Sequence, residues 1–240
     1  MRYGAFNKAA GSYEANVDIQ PIVAQFVAEQ AQMHISPSRL TLDVGCGAGR
    51  LKQFLPNHQI IGIDAAENMC AIAPHPTICA DALHLPFADC SIEAVISSLC
   101  LQWVPLQNAV AELARVMQPN AYAVIGLLSD GTMRELKQVY ESLNIPPHML
   151  KYSTSPQMMD IFNGCGFEII AHHQQKNVIY HNSAWQFFKQ LQLIGANRTN
   201  QTPLTNIQLK QLMLTYEHKF MQEQGLPVTY CWDYLGLTKC

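Results

Sequence analysis

Apolar residues fall along this chain in two rhythms that take turns. Short apolar runs bounded by glycine, proline or an acid read as buried strands. They cover 40 to 45, Gln59 to Asp64, Thr77 to Ala80, Ile92 to Ser98, Tyr122 to Leu128, Phe167 to about Tyr180 and Pro227 to Leu237. Between them the apolar spacing lengthens to three and four residues, as on one face of a helix. The helical stretches are 49–55, stopped by Pro56; Pro105 to about Met117; 132–143; and 155–164, closed by Gly164-Cys165-Gly166. Ahead of the first strand, Phe6, Ala9, Ala10, Tyr13, Ile19, Ile22, Val23, Phe26 and Val27 keep helical spacing to about Gln32.

Strands and helices alternate five times from residue 40 onward. That order predicts an α/β fold with a doubly wound, mainly parallel sheet. Two further helical runs, 183–194 and 204–224, separate the sixth strand from the last. They are too long for a plain connection and read as a helical lid inserted before the final strand. The expected layout is one domain: a helical cover over 1–36, a core over 37–181, the lid over 182–225 and the final strand over 226–240.

Composition narrows the class. Of 240 residues, 49% are hydrophobic and 14% charged, enough for a large core and against disorder. A net charge of −3 lacks the basic footprint of a nucleic-acid binder. Eight cysteines form no C-x-x-C pair, so a reducing, cytoplasmic setting and no metal are expected. Residues 1–12 hold no apolar run like that of a secretory leader, and nothing in the chain is long and apolar enough to span a membrane.

The candidate chemistry begins at Leu40-Thr-Leu-Asp-Val-Gly-Cys-Gly-Ala-Gly-Arg50. A buried strand runs straight into three alternate glycines, Gly45, Gly47 and Gly49. Glycine tolerates positive φ and lets a ligand approach the backbone. The dinucleotide fingerprint would want glycine where Arg50 stands. Asp64 ends the second strand, 17 positions beyond Gly47. At a sheet crevice it can accept hydrogen bonds from two vicinal ribose hydroxyls, or it can cap the next helix. After the third strand, Asp81 and Leu83 suit an adenine amine and ring face.

Four stretches together resemble the class I S-adenosylmethionine-dependent methyltransferases. They are Leu42-Asp43-Val44-Gly45-Cys46-Gly47-Ala48-Gly49, Gly62-Ile63-Asp64, Asp81-Ala82-Leu83-His84-Leu85-Pro86-Phe87 and Glu112-Leu113-Ala114-Arg115-Val116-Met117-Gln118-Pro119. The resemblance implies a Rossmann-like sheet of seven strands, the last antiparallel, with S-adenosyl-L-methionine as cofactor. It places Asp43 and the glycine loop near the methionine part, Asp64 on the ribose, and Asp81 and Ala82 at the adenine. It also implies Gln20, Cys46, Ala65, Met69, Leu83 and Ser98 as cofactor neighbours. Where many members have Pro-Gly-Gly, this chain has Pro119-Asn120-Ala121, which implies a changed turn and no lost binding.

The flanks are similar to the malonyl-acyl-carrier-protein O-methyltransferases of the biotin pathway. They are 6–14 with Gln20, Leu101-Gln102-Trp103, Gly131-Thr132-Met133-Arg134-Glu135-Leu136, 193–197 and 226–230. That family implies methyl transfer to the free carboxylate of a malonyl thioester on acyl carrier protein. Two departures stand out: Leu150-Lys151-Tyr152, where Asn-Arg-Phe is frequent, and a shortened loop after Ala196.

A carboxylate is ionised at neutral pH and needs no general base, only in-line positioning and exclusion of water. The candidates for holding the acceptor are Tyr13, Gln102, Trp103, Asn197 and Tyr230. Lys151 and Arg198 are candidates for a distal anion, and Arg134, Lys137, Lys189, Lys210 and Lys219 join them as a basic dock for an acidic carrier. Two rivals stay open: a methyltransferase for a quinone or phenol, which would need a base, and a non-catalytic S-adenosylmethionine-binding protein.

Overall fold

The computed structural model describes residues 4–196 and 203–240, so the candidates Asn197 and Arg198 lie outside the described residues. The chain opens with α1 (Gly4–Ala9) and α2 (Gln20–His34). It continues through β1 (Leu40–Val44), α3 (Arg50–Phe54), β2 (Gln59–Asp64), α4 (Glu67–Ile72), β3 (Thr77–Cys79) and β4 (Ile92–Ser98). Then come α5 (Leu106–Val116), β5 (Met117–Leu128), α6 (Arg134–Ser142), α7 (Ser155–Gly164) and β6 (Phe167–His181), followed by α8 (Ala184–Leu193), α9 (Asn206–Phe220) and β7 (Leu226–Lys239).

These strands form one sheet in the order β3-β2-β1-β4-β5-β7-β6. β7 is antiparallel to both of its neighbours, and the other pairings are parallel. The continuous apolar runs of β1, β2 and β4 follow from burial on both faces of a parallel sheet; Val44, Ile63, Val95 and Ile96 are all buried. β6 lies at the edge and exposes Ile170, Val178 and Tyr180. The strand order reverses between β1 and β4, which creates the crevice where ligands of such sheets bind.

Two boundaries depart from the sequence pattern. β5 begins at Met117, not Tyr122, because Ile92 pairs with Met117 and Ala94 with Tyr122. The turn at Pro119-Asn120 bulges out of that ladder, and Asn120 takes φ +62, a left-handed conformation that asparagine tolerates. The last helix stops at Phe220, and a tight turn closed by Gln222 and Gly225 leads into β7.

Two apolar cores flank the sheet. α5 and α7 cover one face through Val110, Leu113, Met158 and Phe162. α2, α6, α8 and α9 cover the other. α2 sits close because residue 126 is glycine: a Cβ there would lie 2.7 Å from Val23 and 3.0 Å from Val27. α6 is pinned to β7 by Glu135, whose buried carboxylate accepts the Thr229 N–H at 3.1 Å and the Thr229 hydroxyl at 2.5 Å. The Thr132 hydroxyl donates to the Cys231 carbonyl at 2.8 Å and accepts the Cys231 N–H at 3.0 Å. Among the described residues no helix is long and apolar enough to cross a membrane.

Candidate active site

The crevice begins with the glycine loop. Gly45 and Gly47 hold φ +76 and +52. The N–H groups of Gly45 and Cys46 both donate to the Ile63 carbonyl, at 2.7 and 2.9 Å. Gly47 N–H donates to Asp64 Oδ2 at 2.9 Å, and Ala66 N–H to Asp64 Oδ1 at 2.8 Å. These loop amides are thus spent on holding the loop to β2. α3, five residues long, adds little dipole. What the loop presents to the crevice is glycine backbone and carboxylate oxygen. Each Asp64 oxygen keeps lone pairs for a further donor. Burial pushes the Asp64 carboxyl up, and its hydrogen bonds from the Ala66 and Gly47 N–H groups offset only part of that rise.

Asp43 stands beside it, between Gly62 of β2 and Ile96 of β4. It is 1% exposed, and neither carboxylate oxygen has a hydrogen-bond partner among the described residues. Burial, then the Asp64 charge, pushes its carboxyl up to about 8.

Three connected cavities lie over the strand ends. The first, about 690 Å³ with its open mouth, is walled by Gly45, Gly47, Asp64, Ala65, Met69 and Ala82 and by Ser98, Trp103 and Val104. A second, about 390 Å³ with its open mouth, reaches Gln20, Asp43, Cys46 and Arg50. The third, about 2270 Å³ with its mouth, is bounded by Gln20, Gln102, Tyr152, Lys189, Met213 and Tyr230 among others. Tyr13 borders all three. Phe6, Leu99 and Trp103 stand between the first and the third. Phe6 and Trp103 meet edge to face at 5.0 Å. Leu99 adopts φ +53 and donates its N–H to Gly126 at 2.8 Å. The bend it makes carries the chain from β4 to the Leu101–Trp103 turn. Arg50 and Glu14 form an ion pair that ties the N-terminal segment to α3.

Most of the residues anticipated around the cofactor thus converge. Three do not line a cavity. Gly49 faces away: a Cβ there would lie 2.6 Å from Pro74 and 2.9 Å from His75, so packing and its φ of +83 require glycine. Asp81 turns its carboxylate to the Leu83 N–H at 3.0 Å and caps its own turn, which leaves Ala80 and Ala82 on the wall instead. Leu83 packs into the core with α5.

Of the residues expected around the acceptor, Tyr13, Gln102, Trp103 and Tyr230 come together from three distant segments. Gln102 donates to the Leu99 carbonyl at 2.8 Å, which leaves its buried Oε1 unpartnered. Burial pushes the Tyr13, Tyr152 and Tyr230 phenols up, so all three stay protonated donors. Tyr152 is a wall residue that charge and motif reasoning passed over in favour of Lys151. Its only signal in the sequence is its place in the departure at 150–152. Lys151 is exposed, and Arg134 pairs with Glu135 at 3.2 Å. Lys189 lies on the wall, its Nζ 4.7 Å over the Trp185 ring.

The residues fit a cationic nucleoside. A buried, unpaired carboxylate calls for a positive partner, and Asp43 offers one beside the cavity that Asp64 and Met69 wall. Comparison with known proteins agrees. Residues 42–125 match the family described as methyltransferase domain. A malonyl-[acyl-carrier protein] O-methyltransferase from Hahella chejuensis is 30% identical over 93% of this chain and 87% of its own length. The biotin biosynthesis bifunctional protein BioHC of Cellvibrio japonicus is 28% identical over 98% of this chain, which spans about half (49%) of that relative. A solved structure titled as a SAM-dependent methyltransferase from Thermotoga maritima shares the fold, with TM-score 0.59 at 17% identity over 99% of this chain and 100% of that one.

Sheet order, glycine loop and strand-end acid together define a class I methyltransferase. The chain belongs to the family of S-adenosylmethionine-dependent methyltransferases that includes the malonyl-[acyl-carrier protein] O-methyltransferases. It is an enzyme, and S-adenosyl-L-methionine is its cofactor.

Proposed function

We propose that this methyltransferase esterifies the free carboxylate of a malonyl thioester carried on acyl carrier protein. The observation that carries this reading is the chemistry of the junction between the cavities. The residues that the acceptor cavity shares with the other two are Phe6, Tyr13, Gln20, Leu99 and Trp103. None is a base. A phenol or quinol acceptor would have to lose a proton there; an ionised carboxylate would not. The relatives named malonyl-[acyl-carrier protein] O-methyltransferase support the same acceptor.

In this reading Asp43 pairs with the ammonium of the cofactor's amino-acid tail and Asp64 accepts hydrogen bonds from the ribose hydroxyls. Ala82, Met69 and Val104 flank the adenine. S-adenosylmethionine supplies a methyl group on a sulfonium, which an oxygen nucleophile takes as the sulfur–carbon bond breaks. Tyr13, Tyr152 and Tyr230 donate to the acceptor carboxylate, and Trp103 with Phe6 closes the junction against water. Tight orientation then accounts for the rate. α8 and α9 form the lid over the acceptor, and Lys189 and Lys151 guide the acidic carrier to its mouth.

The test is a mass measurement on the carrier. Incubated with S-adenosylmethionine and malonyl-carrier protein, the enzyme should add the mass of one methylene to the carrier. Methylation confined to a panel of quinols and phenols, or cofactor binding with no acceptor methylated, would overturn the reading. Lys189→Glu should raise KM for the carrier-bound substrate and not for a small malonyl thioester; equal effects on both would remove the docking role.

A further inference from the structure

Gln20 opens α2 and borders both the acceptor cavity and the second cavity, which reaches Asp43. Its side chain bends back so that Oε1 accepts the Asp18 N–H at 3.0 Å. The NH₂ group at the other end of that amide has no hydrogen-bond partner among the described residues. A free amide donor beside Asp43 suits a carboxylate. The ammonium and the carboxylate of an amino acid share one carbon, so a tail whose ammonium meets Asp43 can offer its carboxylate to Gln20.

The aim of Gln20 depends on Asp18, and Asp18 is held from two other elements. Its Oδ1 accepts Gln190 Nε2 at 2.5 Å, and the same nitrogen donates to the Asn16 carbonyl at 2.8 Å. Its Oδ2 lies 3.4 Å from Nε2 of His181, a buried side chain at the end of β6. Gln190 belongs to α8, and its chain neighbours Lys189 and Leu191 line the acceptor cavity. Neither Asp18 nor Gln190 borders any of the three cavities. A run of hydrogen bonds therefore leads from the helix beside the acceptor, through residues 16–18, to the residue beside Asp43.

We propose that Asp18 and Gln190 are positioning residues for the cofactor. Through them α8 sets Gln20, and Gln20 donates to the carboxylate of the cofactor's amino-acid tail. This rests on the placement of that tail against Asp43 given above, and not on the identity of the acceptor.

The experiment is a double-mutant cycle in the whole chain, read as Kd for S-adenosylhomocysteine by calorimetry. Gln20→Ala should weaken binding about tenfold, the loss of a hydrogen bond to a charged group. Gln190→Leu, outside every cavity, should weaken it about three- to tenfold. Once residue 20 is alanine, the same change should matter by less than about twofold. Gln190→Glu sets two carboxylates together and should also weaken binding; adding Asp18→Asn returns an amide to the pair and should recover part of the loss. Ser12→Ala cuts a different tie to α8, the bond from its hydroxyl to the Leu193 carbonyl at 3.0 Å, and should leave Kd within about twofold. Equal losses from Gln190→Leu in both backgrounds, an equal loss from Ser12→Ala, or no recovery in the exchanged pair would overturn the inference, as would an unchanged Kd in Gln20→Ala. Binding of S-adenosylhomocysteine needs no acceptor, so any of these results leaves the malonyl reading standing, and a carrier that is not methylated leaves this inference standing.

Discussion

Asp64 Oδ2 accepts the N–H of Gly47 at 2.9 Å, so the acid that ends the second strand also fixes the loop that ends the first. Its other oxygen holds the Ala66 N–H at 2.8 Å. The carboxylate that lines the first cavity is thereby locked in place before any ligand arrives.

Removing it should have two effects. Asp64→Ala should weaken S-adenosylhomocysteine binding by roughly ten- to a hundredfold, the usual loss for a charge-assisted hydrogen bond. Calorimetry reads this directly. Hydrogen exchange at the amides of 45–49 should quicken in the same variant, because the loop loses an anchor. Unchanged affinity would strip Asp64 of the ribose role whatever the loop does.

Asp43 makes a pH-dependent prediction. Its carboxyl is pushed up to about 8 by burial and then by Asp64, against about 4 in an unfolded chain. A raised acid leaves stability intact below about pH 4 and loses it as the pH climbs to and through about 8, because the folded state holds the proton longer. Asp43→Asn should therefore melt higher than the parent at pH 9 when free of ligand, with little gain at pH 4. The same variant should bind S-adenosylhomocysteine at least tenfold more weakly, since the ammonium of its amino-acid tail loses its counter-charge. A lower ligand-free Tm at pH 9 would contradict this account of the site.

Two glycines of one loop should fail differently. A Cβ at Gly45 would overlap Cβ and Sγ of Cys100, and φ is +76. Gly45→Ala should cost more than about 2 kcal/mol of stability, and Cys100→Gly should restore part of it. At Gly47 no atom lies within 4 Å of the added Cβ, and φ is +52. Gly47→Ala should cost only about 1 kcal/mol, yet its methyl enters the cavity and should reduce cofactor affinity. Denaturant melts paired with calorimetry separate the two cases.

The phenols make a kinetic prediction. Tyr152→Phe and Tyr230→Phe each remove one donor while keeping the ring. kcat/KM for the malonyl thioester should drop roughly five- to thirtyfold, the worth of a hydrogen bond to a charged group. Affinity for S-adenosylhomocysteine should stay within about twofold. Loss of cofactor affinity to the same extent would mean that these rings shape the cofactor cavity instead.

Much of the framework was legible because its causes are local. β4 runs Ile92–Ser98 as its apolar run indicated, and Gln59–Asp64 likewise, since a strand buried on both faces advertises itself and an acid marks its end. The glycines at 45 and 47 could be read because positive φ is a demand made by the backbone itself. Gly49 was legible as a necessary glycine and misleading as to cause. Its neighbour is the Pro74–His75 loop, which no spacing along the chain reveals.

Charge alone does not fix position: Arg134 pairs with Glu135, and Lys151 stands off the cavity wall while Tyr152 lines it. Which neighbour a long side chain meets depends on how α6, β7 and the 148–152 segment pack. The sequence by itself determined the alternation of strands and helices, the glycine bend and the acid 17 residues on, which together name the cofactor. Only the tertiary structure decided which of the candidate residues share a cavity. Tyr13, Gln102, Tyr152, Lys189 and Tyr230 are far apart in the chain and meet only when α2 and α6 close on the sheet and α8 and α9 pack beyond them. A cavity is a property of packing, and packing is not written in any one stretch.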